Sequence, residues 1–88
     1  RQLLEPIPDP QRLQLRAGAE ILTVGDDEGR VALWYLADQE QPLEIRTFVL
    51  IPNGREFDTV GRRYIGSVRF RDHGRRISVH LFEIREES

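Results

Sequence analysis

The sequence predicts an all-β fold, either a small antiparallel sandwich or a partly open barrel of about six strands. Three observations carry this. Apolar residues recur with a period of two, as in Leu13 and Leu15 or in Ile77, Val79 and Leu81. Turn-forming clusters punctuate the chain at Asp26-Asp27-Glu28-Gly29, Pro52-Asn53-Gly54 and Asp72-His73-Gly74. No segment shows an apolar face of helical period, so at most one short helical turn is expected, inside residues 53–61.

The elements follow in order. Residues 1–10 hold Pro6, Pro8 and Pro10, which makes them an extended arm and excludes a helix or a central strand. Leu13 and Leu15 alternate with Gln14 and Arg16 as a half-buried strand, and Ala17-Gly18-Ala19 turns the chain. Residues 20–25 form a strand that enters the acidic hairpin turn, where Gly29 suits a positive φ. Residues 30–37 return with Val31, Leu33 and Tyr35 on one face and Ala32, Trp34 and Leu36 on the other. A strand without a polar face is central or covered on both sides. Residues 43–51 place Leu43, Ile45, Val49 and Ile51 opposite Phe48 and Leu50. Strict alternation over residues 63–71 puts Tyr64, Val68 and Phe70 on one face and Ile65, Arg69 and Arg71 on the other. Gly66, inside this strand, signals a bulge or a close backbone approach. Residues 76–84 close the fold with Ile77, Val79 and Leu81 opposite His80, Phe82 and Ile84, and residues 85–88 are a frayed tail.

The chain has 88 residues, the size of one domain, and runs as such from residue 1 to 88. It contains no Cys, no Met and no Lys, so every fixed cationic side chain is Arg. This excludes disulfide scaffolds, zinc ribbons, Cys nucleophiles, Schiff-base lysines and P-loops. No apolar run is long enough for a membrane-spanning helix, and no membrane partner is expected. So small a core gains from self-association or from a bound partner.

Charge is distributed unevenly. The whole chain carries −2, yet residues 1–45 carry −5 and residues 46–88 carry +3. Within residues 62–76, Arg62, Arg63, Arg69, Arg71, Arg75 and Arg76 face a single acid, Asp72. A paired hairpin brings several of these guanidinium groups together, with His73 at its turn. Such forks match phosphates and carboxylates. The alternative reading is a solvated edge hairpin whose charges block aggregation. The overall negative charge and a pI near 5.7 argue against duplex nucleic acid.

Gly18-Ala19-Glu20-Ile21-Leu22, Val31-Ala32-Leu33-Trp34, Tyr64-Ile65-Gly66-Ser67-Val68 and Val79-His80-Leu81-Phe82-Glu83 together resemble a family of short uncharacterised proteins encoded by tailed phages and prophages. The resemblance spans roughly Leu13 to Glu83. It implies a viral origin and the host cytoplasm as the setting, and it carries no catalytic residue. Pro52-Asn53-Gly54-Arg55-Glu56-Phe57 departs from the Gly-rich, Pro-containing loop of that family.

Candidate chemistry is sparse. Ser78 and His80 share a strand face, but no nucleophile elbow accompanies them, and no enzyme is expected. His80 reads as a satisfied, partly buried histidine. Asp26, Asp27 and Glu28 lack the ligand spacing of a calcium loop and read as a solvated hairpin tip. No metal or cofactor is expected. Tyr64 and Phe70 lie near the arginines and can stack on bases, although their period-two placement assigns them to the core.

The leading expectation is a non-catalytic phage accessory protein that binds a host protein, in host takeover or counter-defence. Its surface would be a strand edge or the Arg hairpin, with homo-oligomers formed through Trp34 and Phe82. The alternative is a protein that sequesters a phosphorylated small molecule or nucleotide signal through Arg62, Arg63, Arg69, Arg71, His73, Arg75 and Arg76. A minor virion component is a third reading.

Overall fold

Period-two alternation builds an antiparallel sandwich in which each sheet turns one apolar face inward. The structure is a computed structural model that describes residues 1–7, 9–55, 58 and 60–85, with the side chain of Asp72 left aside. Its strands are β1 (Gln2–Leu4), β2 (Gln11–Arg16), β3 (Glu20–Asp27), β4 (Arg30–Leu36), β5 (Leu43–Pro52), β6 (Arg62–Asp72) and β7 (Arg75–Ile84). One sheet has the order β1-β4-β3 and the other β2-β5-β7-β6. The sheets do not close on each other, so the sandwich, and not the barrel, is realised.

The count is one strand higher than the sequence suggests. Residues 2–4 precede the first proline, keep their N–H groups and pair with β4 as an edge strand. This makes the doubly apolar β4 the centre of its sheet, as its lack of a polar face requires. No helix occurs among the described residues, and Phe57 in the long loop lies outside them, as does the tail at 86–88.

Both tight turns are two-residue hairpins of the mirror-image kind. Glu28 and Gly29 have φ of 52° and 83°, and His73 and Gly74 have 50° and 79°. Two successive positive φ values match the right-handed twist of the flanking strands. They also fix the register of each hairpin, so Arg71 sits opposite Arg76 and Arg69 opposite Ser78.

The main core packs Leu15, Val31, Leu33, Phe48 and Leu81, each almost fully buried, between the sheets. A second cluster of Val49, Ile51 and Phe82 lies on the outer face of the four-stranded sheet, with Ile84 against it. At one edge β3 lies along β6. A Cβ on Gly66 would stand 3.1 Å from Cγ1 of Val24, so glycine is what lets the two edges approach.

The ladder between β6 and β7 shifts register between Tyr64 and Gly66. The extra residue is Ile65, which packs against the core. The shift overturns the strict alternation expected for this strand. Tyr64 now faces outward with Arg69 and Arg71, away from Val68 and Phe70, which are buried.

A polar contact ties β5 and β7 to the segment that enters β3. Arg46 on β5 donates from Nε to Oε2 of Glu83 at 2.6 Å and from Nη2 to Oε1 at 2.7 Å. Its Nη1 donates to the Ala19 carbonyl, just before β3, at 2.6 Å. Both side chains are only 15% exposed. The guanidinium also lies 5.9 Å from the Phe48 ring centroid. The Arg46 pKa is raised, first by its hydrogen bonds to Glu83 and against the cost of burial.

Breaking a buried pair strands one charge and costs about 3–5 kcal/mol, whereas replacing both partners with apolar groups is often close to neutral. Arg46→Met is therefore expected to lose about that much in urea unfolding. Arg46→Met combined with Glu83→Leu should recover most of the loss, and additive single-variant losses would count against a coupled pair.

Candidate functional site: the outer face of the second hairpin

The turn at His73 and Gly74 sets which arginines meet. Counting outward from it, Arg71 faces Arg76, Arg69 faces Ser78 and Ser67 faces His80, all on the outer face of the sheet. All three of these arginines are exposed. Directly opposed like charges in a ladder repel. Among the described side chains, no carboxylate lies within ion-pair distance of Arg69, Arg71, Arg75 or Arg76.

Arg69, Arg71 and Arg76 line an open pocket of about 440 Å³ together with Phe70 and, from the first hairpin, Asp26 and Gly29. Asp26 makes no ion pair with the arginines. Its Oδ1 accepts the Gly29 N–H at 2.7 Å within the turn. Its neighbour Asp27 pairs with Arg1 at 2.8 Å. Asp26 and Asp27 are thus used to build the hairpin and to pair with Arg1.

The remaining residues of the predicted cluster fall elsewhere. Arg75 is opposite Asp72 and in phase with Ile77, so it leaves the turn on the other side of the sheet from Arg76. His73 occupies the turn itself in a left-handed conformation. Arg62 and Arg63 start β6, nine and eight residues from Arg71, which is about 26–30 Å at strand rise. Arg62 donates to the Asp58 carbonyl. Together with Arg85 and Gly61, these two line a separate depression.

Trp34 and Phe82 do not form one apolar surface, because they lie on the outer faces of different sheets. The Trp34 ring lies over Gly25, close enough that a Cβ there would meet it at 3.2 Å. Phe82 is 8% exposed, and Tyr64 meets it edge-on with ring centroids 5.3 Å apart. Little of Phe82 is left for a second copy to cover.

A second open pocket of about 440 Å³ adjoins the first along the hairpin and shares Arg69 with it. Asn53, Ser67, Ser78 and His80 supply its polar groups. His80 is partly buried and its Nε2 lies 3.2 Å from Oδ1 of Asn53. An amide oxygen only accepts, so Nε2 is the protonated nitrogen in this contact. The His80 ring is 6.1 Å from that of Tyr64, which is 53% exposed. Ser67 and Asn53 escape a reading based on charge alone. The signal for Ser67 is parity, since it shares the phase of Arg69 and Arg71 while Ser78 and His80 share that of Arg76; Asn53 lies in the turn after β5 and has no such signal.

Residues 2–88 match the sequence profile of DUF7352, a domain of unknown function, and the chain belongs to that family. No curated protein and no solved structure matches it significantly.

The opposed arginines make a directional prediction. Arg71→Glu exchanges repulsion across the ladder for attraction and should raise the stability of the free protein by about 0.2–1 kcal/mol. Thermal unfolding at low ionic strength and at 1 M salt checks this, since screening should shrink the gain.

Proposed function

We propose that this DUF7352 protein is a non-catalytic binding protein whose ligand is a phosphorylated molecule held by Arg69, Arg71 and Arg76. The observation that carries the reading is the Arg71–Arg76 cross-strand pair, with Arg69 on the same face and no described carboxylate in ion-pair range. An arrangement that costs stability in the free protein gains when an anion arrives. Guanidinium forks match phosphate oxygens two at a time, which ammonium groups do not. The overall charge of −2 keeps such an interaction local, in contrast to the broad basic surface that tracks a duplex. The resemblance to phage-encoded proteins supports an infected host cell as the place where such a ligand would be sequestered.

A second reading, docking of a host protein or of a second copy, is favoured by a different observation. Leu43 and Ile45 are 54% and 59% exposed on the outer phase of β5. Exposed apolar side chains set side by side mark contact surfaces more often than isolated ones do.

Titration with inorganic pyrophosphate in a calorimeter tests the first reading. Wild-type protein should bind, with affinity falling as salt rises. The Arg69→Glu, Arg71→Glu variant should lose at least tenfold in affinity while keeping its circular dichroism spectrum. Unchanged affinity in that variant would remove these residues from the site. For the second reading, native mass spectrometry of protein isolated gently from expressing cells should show a complex or a dimer. That species should disappear in Leu43→Glu, Ile45→Glu.

A further inference from the structure

Resting on the phosphate reading above, we infer that the ligand class is a nucleotide, its phosphates on the arginines and its nucleoside in the adjoining polar pocket. Three observations on the outer face of the hairpin carry this. The first is continuity. Arg69 lines both pockets, so a ligand anchored on its guanidinium can extend into either. The second is the change in chemistry along the hairpin. Toward the turn the face offers guanidinium groups, Arg71 and Arg76 beyond Arg69. Away from the turn it offers uncharged hydrogen-bonding groups: the hydroxyls of Ser67 and Ser78, the amide of Asn53 and the imidazole of His80. Those groups include both donors and acceptors, as sugar hydroxyls and base edges require.

The third observation is aromatic. The bulge after Tyr64 turns this ring onto the arginine face, where half of it stays exposed. It is held by the edge contact with Phe82 and stands beside the His80 ring. A ring fixed on one side and open on the other is a stacking platform, and stacking accepts any base. Along β7, the level of Tyr64 (opposite Phe82) is four residues from that of Arg69 (opposite Ser78), about 13 Å, and six from that of Arg71 (opposite Arg76), about 20 Å. Charge, hydrogen bonding and aromatic surface therefore follow one another in the order in which a nucleotide presents phosphate, sugar and base. A simple polyphosphate has no use for the second half of this face.

The test compares inorganic pyrophosphate with a panel of the common nucleoside diphosphates at fixed ionic strength, by calorimetry on the wild-type chain. A nucleoside diphosphate should bind at least tenfold more tightly than pyrophosphate. In Ser67→Ala, Ser78→Ala that advantage should vanish while pyrophosphate binding stays at the wild-type level. Equal affinities of every nucleoside diphosphate and pyrophosphate for the wild type would overturn the nucleotide assignment and leave the phosphate reading standing. Absence of binding by any of them would overturn both. A short single-stranded oligonucleotide serves as a further arm. If it binds more tightly than every free nucleoside diphosphate, the nucleotide chemistry comes from a strand. If a free diphosphate binds more tightly, it comes from the small molecule. Either ordering, with pyrophosphate the weakest, upholds the assignment.

Discussion

The three-way contact of Arg46 holds the sandwich in register. Two arms of the guanidinium clamp Glu83 on the neighbouring β7, and the third takes the Ala19 carbonyl at the entry to β3, in the other sheet. Apolar packing between sheets is not directional and tolerates sliding. A planar fork with hydrogen bonds at 2.6–2.7 Å does not. The pair is mostly buried, so it carries a desolvation cost that is recovered only in this geometry. In a domain of 88 residues, whose total stability is about 4–13 kcal/mol, such a contact weighs heavily.

The outer face of β6 and β7 is positioned by that frame. Glu83 and Arg46 meet at one end of β7, while the tight turn at His73 and Gly74 closes the other. Between them the ladder is regular except for the bulge at Ile65. The guanidinium groups, the two serines and His80 are therefore carried on paired strands, and only Asn53 comes from a loop. Sites on rigid elements hold their geometry better than sites on loops, and they need less ordering when a ligand binds.

The outer face also differs in purpose from the core face of the same strands. Inward positions of β6 and β7 hold Val68, Phe70, Val79 and Leu81, all buried. Outward positions hold three arginines whose mutual repulsion works against the fold. Local violations of the rules that stabilise a fold concentrate where a protein binds something. The family match names no activity, so the chemistry of this face alone carries the functional reading.

Much of the architecture was legible in the residues. Alternation located six of the strands, the turn clusters located both hairpins, and the doubly apolar β4 announced its central place. These are local properties, written in side-chain period and turn chemistry. The seventh strand was hidden because three residues are too few to show a period. Arg46 and Glu83 had a readable sign, since both stand in the inward phase with Phe48 and Leu81. Their pairing nevertheless joins residues 37 apart, and no local pattern specifies that distance. Gly66 announced a bulge or a close approach, and the fold contains both. The consequence for Tyr64 could not be read locally. A one-residue shift reverses the face of every side chain beyond it, and where the shift falls is decided by how Ile65 reaches the core and how closely Val24 approaches. The composition of the candidate site was thus present in the chain. Tertiary packing chose which of the arginines share a surface and set Tyr64 beside them, because register depends on both sheets at once.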